Sequence, residues 1–173
     1  MASVTPQMMR DTLRLWASGV SIVTAAHEGE QSGMTVSAFN SLSLEPPMIL
    51  VCLSKEAHTT QLVLKSRAFG ISILGEGQGE ISNRFAGRIP EYADYAHRFD
   101  DLETFTYETG APIVHAAISW LDCTIHTVHD GGTHWIVLGS VQATGCQGSV
   151  VPPLIYFNRD YRALALPVET PVV

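Results

Sequence analysis

Hydrophobic and polar positions alternate through residues 33–55, GMTVSAFNSLSLEPPMILVCLSK, the stretch around which the rest of the chain is organised. Small and hydroxyl side chains such as Thr35 and Ser41 stand among apolar ones, which predicts an extended segment with one face on a core. The apolar run at 48–53 is too short for a membrane span and is typical of a strand buried on both faces. The polar positions fit either a hairpin face in water or the wall of a flat ligand with a polar edge.

Similar patterns along the chain predict a mainly β fold of six to seven antiparallel strands joined by hairpins. The predicted strands cover residues 20–26, 32–39, 48–53, 69–74, 116–128 and 133–144, with shorter extended segments at 154–157 and 161–166. These strands do not alternate with long helices, which disfavours a doubly wound parallel sheet. An antiparallel barrel with short helices at its ends fits the pattern better.

Three short helices are predicted beside these strands. The first begins at Thr5, a hydroxyl cap followed by proline, and carries an apolar stripe as far as Gly19, where it ends. The second covers residues 59–66 with Thr59 at its cap, and the third covers residues 81–86.

Two connecting segments carry their own signals. Residues 89–107 mix aromatic and acidic side chains without clean periodicity, which predicts a long irregular excursion of the kind often found at functional sites or interfaces. Residues 129–132 (HDGG) predict the turn of a hairpin between the two longest strands. We expect one domain over residues 1–173, ending in a loose tail at 168–173.

Composition narrows the possible partners. The formal charge of −7 disfavours binding to nucleic acid or to an anionic membrane surface, so an anionic ligand needs a local cationic or amide-rich pocket. The three cysteines have neither an even number nor CxxC spacing, which predicts free thiols in a reducing compartment. The N-terminus lacks a basic patch followed by an apolar run, so we expect no signal peptide and a cytoplasmic protein.

Two groups of polar residues are candidates for chemistry. Ser54 and Lys55 end a strand just before Thr59 and Thr60 begin a helix, and a helix N-terminus beside a lysine is suited to a phosphate, although an ordinary capped helix is the commoner outcome. His134 follows two glycines at a hairpin turn, where it is either a proton relay or hydrogen-bond donor at a barrel rim or a histidine in solvent. The sequence has no GxSxG motif and no histidine pattern typical of metal ligands, so we predict neither a hydrolase triad nor a metal site.

These residues together resemble the short-chain flavin reductase family, the reductase components of two-component flavin-dependent monooxygenases, which have the FMN-binding split-barrel fold. The most specific block is residues 33–55, which is similar to the family's Gly-x-Thr-x-Ser/Thr-Ser-Phe-x-Ser-Val-Ser-Leu-x-Pro-Pro segment and the strand behind it. Supporting blocks occur in the same order at residues 16–24, 69–74, 84–87, 138–141 and 153–157.

The resemblance implies specific roles for individual residues. Flavin-binding positions would be Met34, Thr35, Val36, Ser37 and Ala38 at the polar edge of the ring, Ser41 and Leu42 against the cofactor, Ser54, Lys55, Thr59 and Thr60 at the phosphate, and Phe85 closing the pocket. His134 would lie at the nicotinamide side of the flavin as the catalytic residue. Two departures from the family pattern bear on these roles: Thr133 replaces an aspartate beside the histidine, and Ala38 replaces a common serine.

The resemblance further implies an oxidoreductase that transfers a hydride from NADH or NADPH to FMN or FAD. The reduced flavin would be supplied to a partner monooxygenase, and the protein would be a homodimer. The absence of an obvious basic cluster for a 2′-phosphate favours NADH. The alternatives are a non-catalytic flavin- or haem-binding split-barrel carrier or sensor, and a structural dimeric barrel without a ligand.

Overall fold

A seven-stranded sheet forms the body of the protein in the computed structural model, which describes residues 3–148 and 151–164. The described strands are β1 (Ser18–Gly19), β2 (Ser21–His27), β3 (Glu30–Val36), β4 (Phe39–Leu44), β5 (Pro47–Ser54), β6 (Ala68–Ile73), β7 (Thr104–Phe105), β8 (Ile113–Val114), β9 (Ser119–Gly131), β10 (His134–Cys146), β11 (Ile155–Phe157) and β12 (Asp160–Arg162). The main sheet has the order β3-β2-β6-β9-β10-β5-β4, and every pair in it is antiparallel. The predicted mainly β, six- to seven-stranded antiparallel architecture is therefore confirmed.

The strand order places β3 and β4 at opposite edges of the sheet, although only Ser37 and Ala38 separate them in the chain. The sheet must therefore curl until its two edges come close together. The amide of Cys52 on β5 donates a hydrogen bond to the carbonyl oxygen of Ala38 at 2.9 Å, which fixes the linking residues against the β4 edge.

Two hydrophobic clusters hold the curled sheet together. The larger cluster lies inside the sheet and includes Val23, Val51, Phe69 and Val137, with Leu62 of the second helix packed onto it. Alternate residues of β5 are buried, which is the period-two pattern of a strand with one face on a core. The smaller cluster is built from Val20, Ile22, Leu74, Phe85, Phe99 and Leu154.

Three α-helices lie in the described residues: α1 (Pro6–Leu13), α2 (His58–Ser66) and α3 (Gly79–Phe85). The Thr5 side chain caps α1 as predicted, but the helix ends at Leu13 and not at Gly19, because tight turns from Leu15 and Trp16 back to Thr12 and Leu13 close its last turn. None of the residues of α1 is buried, and Trp16 beyond it is 76% exposed. The predicted apolar stripe therefore has no partner within the described chain.

The prediction of a cap at Thr59 is wrong, because α2 begins at His58 and its N-cap is Ala57, two residues before Thr59. The strand predicted over residues 32–39 is interrupted, since β3 ends at Val36 and β4 starts at Phe39. The turn of the long hairpin is formed by Gly132 and Thr133, with Gly131 paired to His134.

The excursion expected at residues 89–107 has two short 3-10 turns at Pro90–Tyr92 and Tyr95–His97, but the prediction missed the short strand β7 near its end. No helix in the described residues is long and apolar enough to cross a membrane. The tail predicted at 168–173, and the last two residues of the strand segment predicted at 161–166, lie outside the described residues.

Candidate functional site

The ends of β5 and β10 bring three of the predicted site residues together. His134 pairs with Ser54 in the antiparallel register, and the amide of Lys55 donates to the carbonyl oxygen of Thr133 at 3.1 Å. Residues separated by about half the chain are thus neighbours at one end of the sheet. This grouping follows from the pairing of the two strands, which the sequence alone does not reveal.

Lys55 is held as a partly exposed cation at this end. Its Nζ donates to Oδ2 of Asp130 at 2.7 Å and lies 4.3 Å from the centroid of the Trp135 ring. The hydrogen bond from Lys55 is the main reason that the pKa of Asp130 is lowered, and a hydrogen bond from the amide of Gly132 contributes less. Because Asp130 is largely exposed, an anionic ligand can take its place beside Lys55 without breaking a buried ion pair.

The imidazole of His134 is exposed, and its Nδ1 lies 2.9 Å from Oγ1 of Thr133. The threonine that departs from the family pattern thus contacts the histidine directly. A hydroxyl partner orients the ring without placing a negative charge beside it, whereas a carboxylate would favour the protonated imidazolium.

The first turn of α2 lies beside these residues, but its two threonines do not present their side chains to solvent. Oγ1 of Thr59 is 2.8 Å from Oγ of Ser32 in a buried pair, so this hydroxyl supports β3 and the prediction that it contacts a phosphate needs correction. The Thr60 hydroxyl is 0% exposed and has no hydrogen-bond partner among the described residues. Ala57 supplies no side-chain cap, and the amide of Thr60 donates to the carbonyl oxygen of Ala57 at 3.1 Å, so the amides of His58 and Thr59 are the ones available to an anion.

A histidine and a tyrosine that sequence reasoning missed stand at the same helix start. Nε2 of His58 is 2.7 Å from Oε1 of Glu30, and its ring stacks on that of Tyr95 with centroids 3.8 Å apart. The contact ties the excursion to α2. No local sequence signal links these residues, because they come from three separate segments.

The segment from Met34 to Ala38 separates into two faces. Val36 is buried in the larger core cluster and the partly buried Met34 packs against it, so the backbone of these two residues is the part that faces the proposed site. Thr35 lies on the opposite face, where its Oγ1 donates to the carbonyl oxygen of Ser82 on α3 at 2.6 Å. Ser37 and Ala38 are exposed between β3 and β4.

The other predicted flavin contacts, Ser41, Leu42 and Phe85, are not all accessible to a ligand. Ser41 is exposed on β4, and Leu42 lies in an irregularity of the pairing with β5 and is also exposed. Phe85 is fully buried against Phe99 and Val20, so it supports β3 from behind and does not close a pocket. Gly33 lies directly over Phe85, since a Cβ at that position would be 2.5 Å from Cε1 of the phenylalanine ring.

Three adjoining cavities meet at Ser37. The first has a volume of about 160 Å³ and is lined by Val20, Thr35, Ser37, Ser82, Ala86, Arg88, Tyr156 and Tyr161. The second, of about 300 Å³, lies beside Trp16 and Asn40, and the third, of about 550 Å³, lies under α1. The sequence did not point to Arg88 or the two tyrosines as site residues, although Tyr156 lies within the block at residues 153–157 and Arg88 directly follows the block at 84–87.

The described residues contain no cluster of three or more histidine, cysteine, aspartate or glutamate side chains that could hold a metal ion. Cys52, Cys123 and Cys146 are free thiols. The chemistry of the site therefore depends on one histidine, one lysine, hydroxyl groups, backbone amides and the guanidinium of Arg88.

Comparison with characterised proteins places these features in context. The reductase component of 4-hydroxyphenylacetate 3-monooxygenase from Thermus thermophilus is 38% identical over 161 residues, covering 93% of this chain and 98% of that protein. An NADH-dependent flavin reductase from Rhodococcus sp is 36% identical over 166 residues, covering 94% and 89% of the two chains.

Solved structures show the same fold. The NADH:FAD oxidoreductase SgcE6 of Streptomyces globisporus C-1027 superimposes with a TM-score of 0.85 at 29% identity, covering 96% of this chain and 99% of that one. The styrene monooxygenase flavin reductase from Pseudomonas putida S12 gives a TM-score of 0.80 at 28% identity, with coverages of 92% and 98%. The flavin reductase like domain matches residues 13–165, a range that contains the sheet and every residue of the site described above, and the chain belongs to this family.

Proposed function

We propose that the protein is an NADH-dependent flavin reductase that reduces FMN or FAD and supplies the reduced flavin to a separate monooxygenase. The observation that carries the proposal is the grouping of Ser54, Lys55 and His134 beside the uncapped start of α2. The names of the relatives support the same activity, since one is an NADH-dependent flavin reductase and another a monooxygenase reductase component.

The phosphate of the flavin would bind at the start of α2. The available amides of the first turn and the positive end of the helix favour an anion, and Lys55 adds a full charge. The Thr60 hydroxyl is fully buried, so it would reach a phosphate only if its side chain became exposed.

The ring of the flavin would lie along the far end of β3. Ser32 contacts α2 through Thr59, and Thr35 contacts α3 through Ser82. Ser32 and Thr35 are three residue-to-residue steps apart along the strand, which is about 10 Å. A single strand therefore spans from the proposed phosphate site to the proposed ring site.

A bound flavin supplies the redox chemistry by accepting a hydride from the nicotinamide. The chain's part is to hold the two reactants at reacting distance and to orient His134 beside them. The exposure of His134 and its contact with Thr133 leave the other ring nitrogen available to the nicotinamide side.

We propose that two copies associate through the outer faces of β4, β5 and β10. Leu50 pairs with Leu138, and both side chains point outward and are only partly covered. Leu42 and Leu44 extend this apolar surface on the edge strand, and Leu44 is 84% exposed. An exposed apolar face of this kind suits the interface of a two-fold dimer. Light scattering of the purified protein tests the proposal, and Leu44→Lys should shift the dimer toward monomer.

We propose that the protein is cytoplasmic, because its three free cysteines fit a reducing compartment. The net charge of −7 gives no support for a nucleic-acid partner.

The activity is tested by following NADH absorbance with and without added flavin, using FMN and FAD in separate reactions. We expect oxidation of NADH that depends on flavin, and slower oxidation of NADPH. Flavin binding without turnover with either nicotinamide would instead support the non-catalytic carrier. Failure to bind either flavin would contradict both proposals and favour a structural barrel.

A further inference from the structure

The cavity of about 160 Å³ beside Thr35 and Ser37 has the size of a single six-membered ring. An engineered protein cavity of roughly 150 Å³ binds benzene, so a volume of this order holds one ring and not three fused rings. A larger planar ligand would place one end in this cavity and the remainder in the adjoining spaces that also meet at Ser37.

Arg88 is placed at the cavity by the way α3 ends. Gly87 has a positive φ of +65°, and the amide of Arg88 donates to the carbonyl oxygen of Asn83 at 2.9 Å. A 6→1 backbone hydrogen bond that encloses a left-handed glycine is characteristic of a Schellman motif at a helix C-terminus. The position of Arg88 is therefore set by a backbone motif within the RFAG block and not by side-chain packing alone.

The guanidinium of Arg88 has no carboxylate partner among the described residues. Its Nη1 is 3.5 Å from Oδ1 of Asn83, and the group lies 5.8 Å from the centroid of the Tyr156 ring. The hydroxyl of Tyr161 donates to the same Asn83 oxygen at 3.0 Å. The cavity thus has a cation at its wall whose charge is not neutralised by an ion pair.

Ser82 contributes a buried hydroxyl that has no hydrogen-bond partner among the described residues. Its side chain is 1% exposed and its hydroxyl makes no hydrogen bond within the described residues, while its carbonyl oxygen accepts from Thr35. A buried hydroxyl without a partner is uncommon in folded proteins. Its presence in the wall of a cavity that also holds Arg88 indicates that a ligand atom completes the site.

We propose that this cavity binds the pyrimidine end of the flavin ring, with Arg88 beside the N1 and O2 atoms and Ser82 hydrogen-bonded to the same edge. The inference rests on the proposed function and assigns two residues that the family resemblance did not. Arg88 then acts as the positive charge that stabilises the reduced flavin.

The charges of the products select the flavin over the nicotinamide as the occupant. When the C4–H bond of the dihydronicotinamide breaks and an N–H bond forms at flavin N5, both electrons move with the proton. The nicotinamide ring becomes positively charged, and the flavin gains a negative charge at N1 and O2. A guanidinium stabilises the second product and destabilises the first.

The test compares the affinity of Arg88→Gln for oxidised and reduced flavin, using whichever of FMN and FAD the wild-type protein binds more tightly. The substitution removes the positive charge of Arg88, which attracts the anionic reduced flavin more strongly than the neutral oxidised flavin. The affinity for reduced flavin should therefore fall about tenfold or more, while the affinity for oxidised flavin should change less than about twofold. A tenfold change in this ratio equals a midpoint potential lower by about 30 mV for a two-electron couple. Arg88→Lys should restore part of the difference.

Lys65→Gln is the matched charge control, because Lys65 is an exposed cation on α2 that lines none of the three cavities. A potential in Arg88→Gln equal to that of this control would overturn the proposal, as would an increase in the Michaelis constant for NADH with the potential unchanged. Wild-type protein that binds flavin but fails to oxidise NADH would contradict the proposed function while leaving this affinity ratio measurable.

Ser82→Ala gives an independent readout. Removing a buried hydroxyl that lacks a partner should leave the melting temperature of the flavin-free protein unchanged or raise it, because an unsatisfied group disfavours folding. Flavin affinity should fall several-fold at the same time. A lower melting temperature with unchanged flavin affinity would show that the hydroxyl serves the fold alone and would overturn its assignment.

Discussion

Arg98 donates a hydrogen bond through Nη1 to the carbonyl oxygen of Gly33 at 3.0 Å, joining the irregular excursion to the strand that leads into the site. The same atom donates to the carbonyl oxygen of Phe85 at 3.1 Å. Arg84 makes the reverse contact, with its Nε donating to the carbonyl oxygen of Arg98 at 2.7 Å. The two arginines therefore hold the excursion, β3 and α3 together through backbone carbonyls.

Replacing Arg98 with alanine should destabilise the protein. Two hydrogen bonds to a charged donor would be lost and two carbonyls left without this partner, so we expect the free energy of unfolding in urea to fall by about 2–3 kcal/mol. Arg162→Ala is the control, because its ion pair with Asp160 is exposed and should contribute less than about 1 kcal/mol. Equal effects of the two substitutions would contradict the role of Arg98.

His134→Ala should slow hydride transfer while largely retaining flavin affinity. The side chain is exposed at the end of β10 and contacts Thr133, so its loss should not disturb the core. Anaerobic stopped-flow mixing of the flavin-loaded protein with NADH measures the transfer, and a fluorescence titration measures the affinity. Equal losses in both measurements would assign His134 to flavin binding instead.

Lys55→Ala should weaken FMN binding by roughly 1–3 kcal/mol, as expected for loss of a charge-assisted hydrogen bond to phosphate. Riboflavin has no phosphate and is the matched ligand control, so its affinity should hardly change. Asp130→Asn should instead strengthen FMN binding, because the Asp130 carboxylate accepts a hydrogen bond from the Lys55 ammonium and competes with the phosphate for it. A parallel loss of FMN and riboflavin binding in Lys55→Ala would place the phosphate elsewhere.

Gly33→Ala should destabilise the fold through a clash. The added Cβ would lie 2.5 Å from Cε1 and 2.8 Å from Cδ1 of the buried Phe85 ring, and overpacking of this kind costs about 1–3 kcal/mol. Gly19→Ala is the control, since a Cβ there would meet nothing within 4 Å. Combining Gly33→Ala with Phe85→Leu should recover part of the loss in thermal unfolding, and strict additivity would argue against the clash.

Cys123 should resist thiol reagents in the folded protein. Burial, with a smaller contribution from Asp122, raises the pKa of Cys123 to about 12, so at pH 8 only about one thiol in ten thousand is ionised. Cys146 is exposed and should react first. Mass spectrometry after labelling, with and without urea, identifies each modified residue, and rapid modification of Cys123 without urea would show that β9 opens readily.

The sequence was most informative where local pattern decides structure. The alternation after Gly33 predicted β3 and β5, and the glycines at 131 and 132 predicted the long hairpin. The sequence was misleading where an apolar pattern is not buried in the fold. The stripe running to Trp16 predicted a helix continuing to Gly19, but these side chains are exposed and the helix ends at Leu13.

The candidate site was predictable only in part, for a related reason. Ser54 and Lys55 before a helix start, and His134 after two glycines, stood out from local patterns, but the loss of the Thr59 hydroxyl to Ser32 depends on a contact across 27 residues. Arg88 and Tyr156 are still further apart in the chain, and only the folded structure brings them to one cavity. Short-range periodicity carries no information about such pairs.

The two-residue link between the sheet edges sets the width of the opening at Ser37 and Ala38. Because the chain from Val36 to Phe39 can reach at most about 11 Å, the mouth between β3 and β4 is limited covalently and not by the side chains around it. A cofactor that enters beside this link would therefore pass an opening whose width has a fixed upper limit.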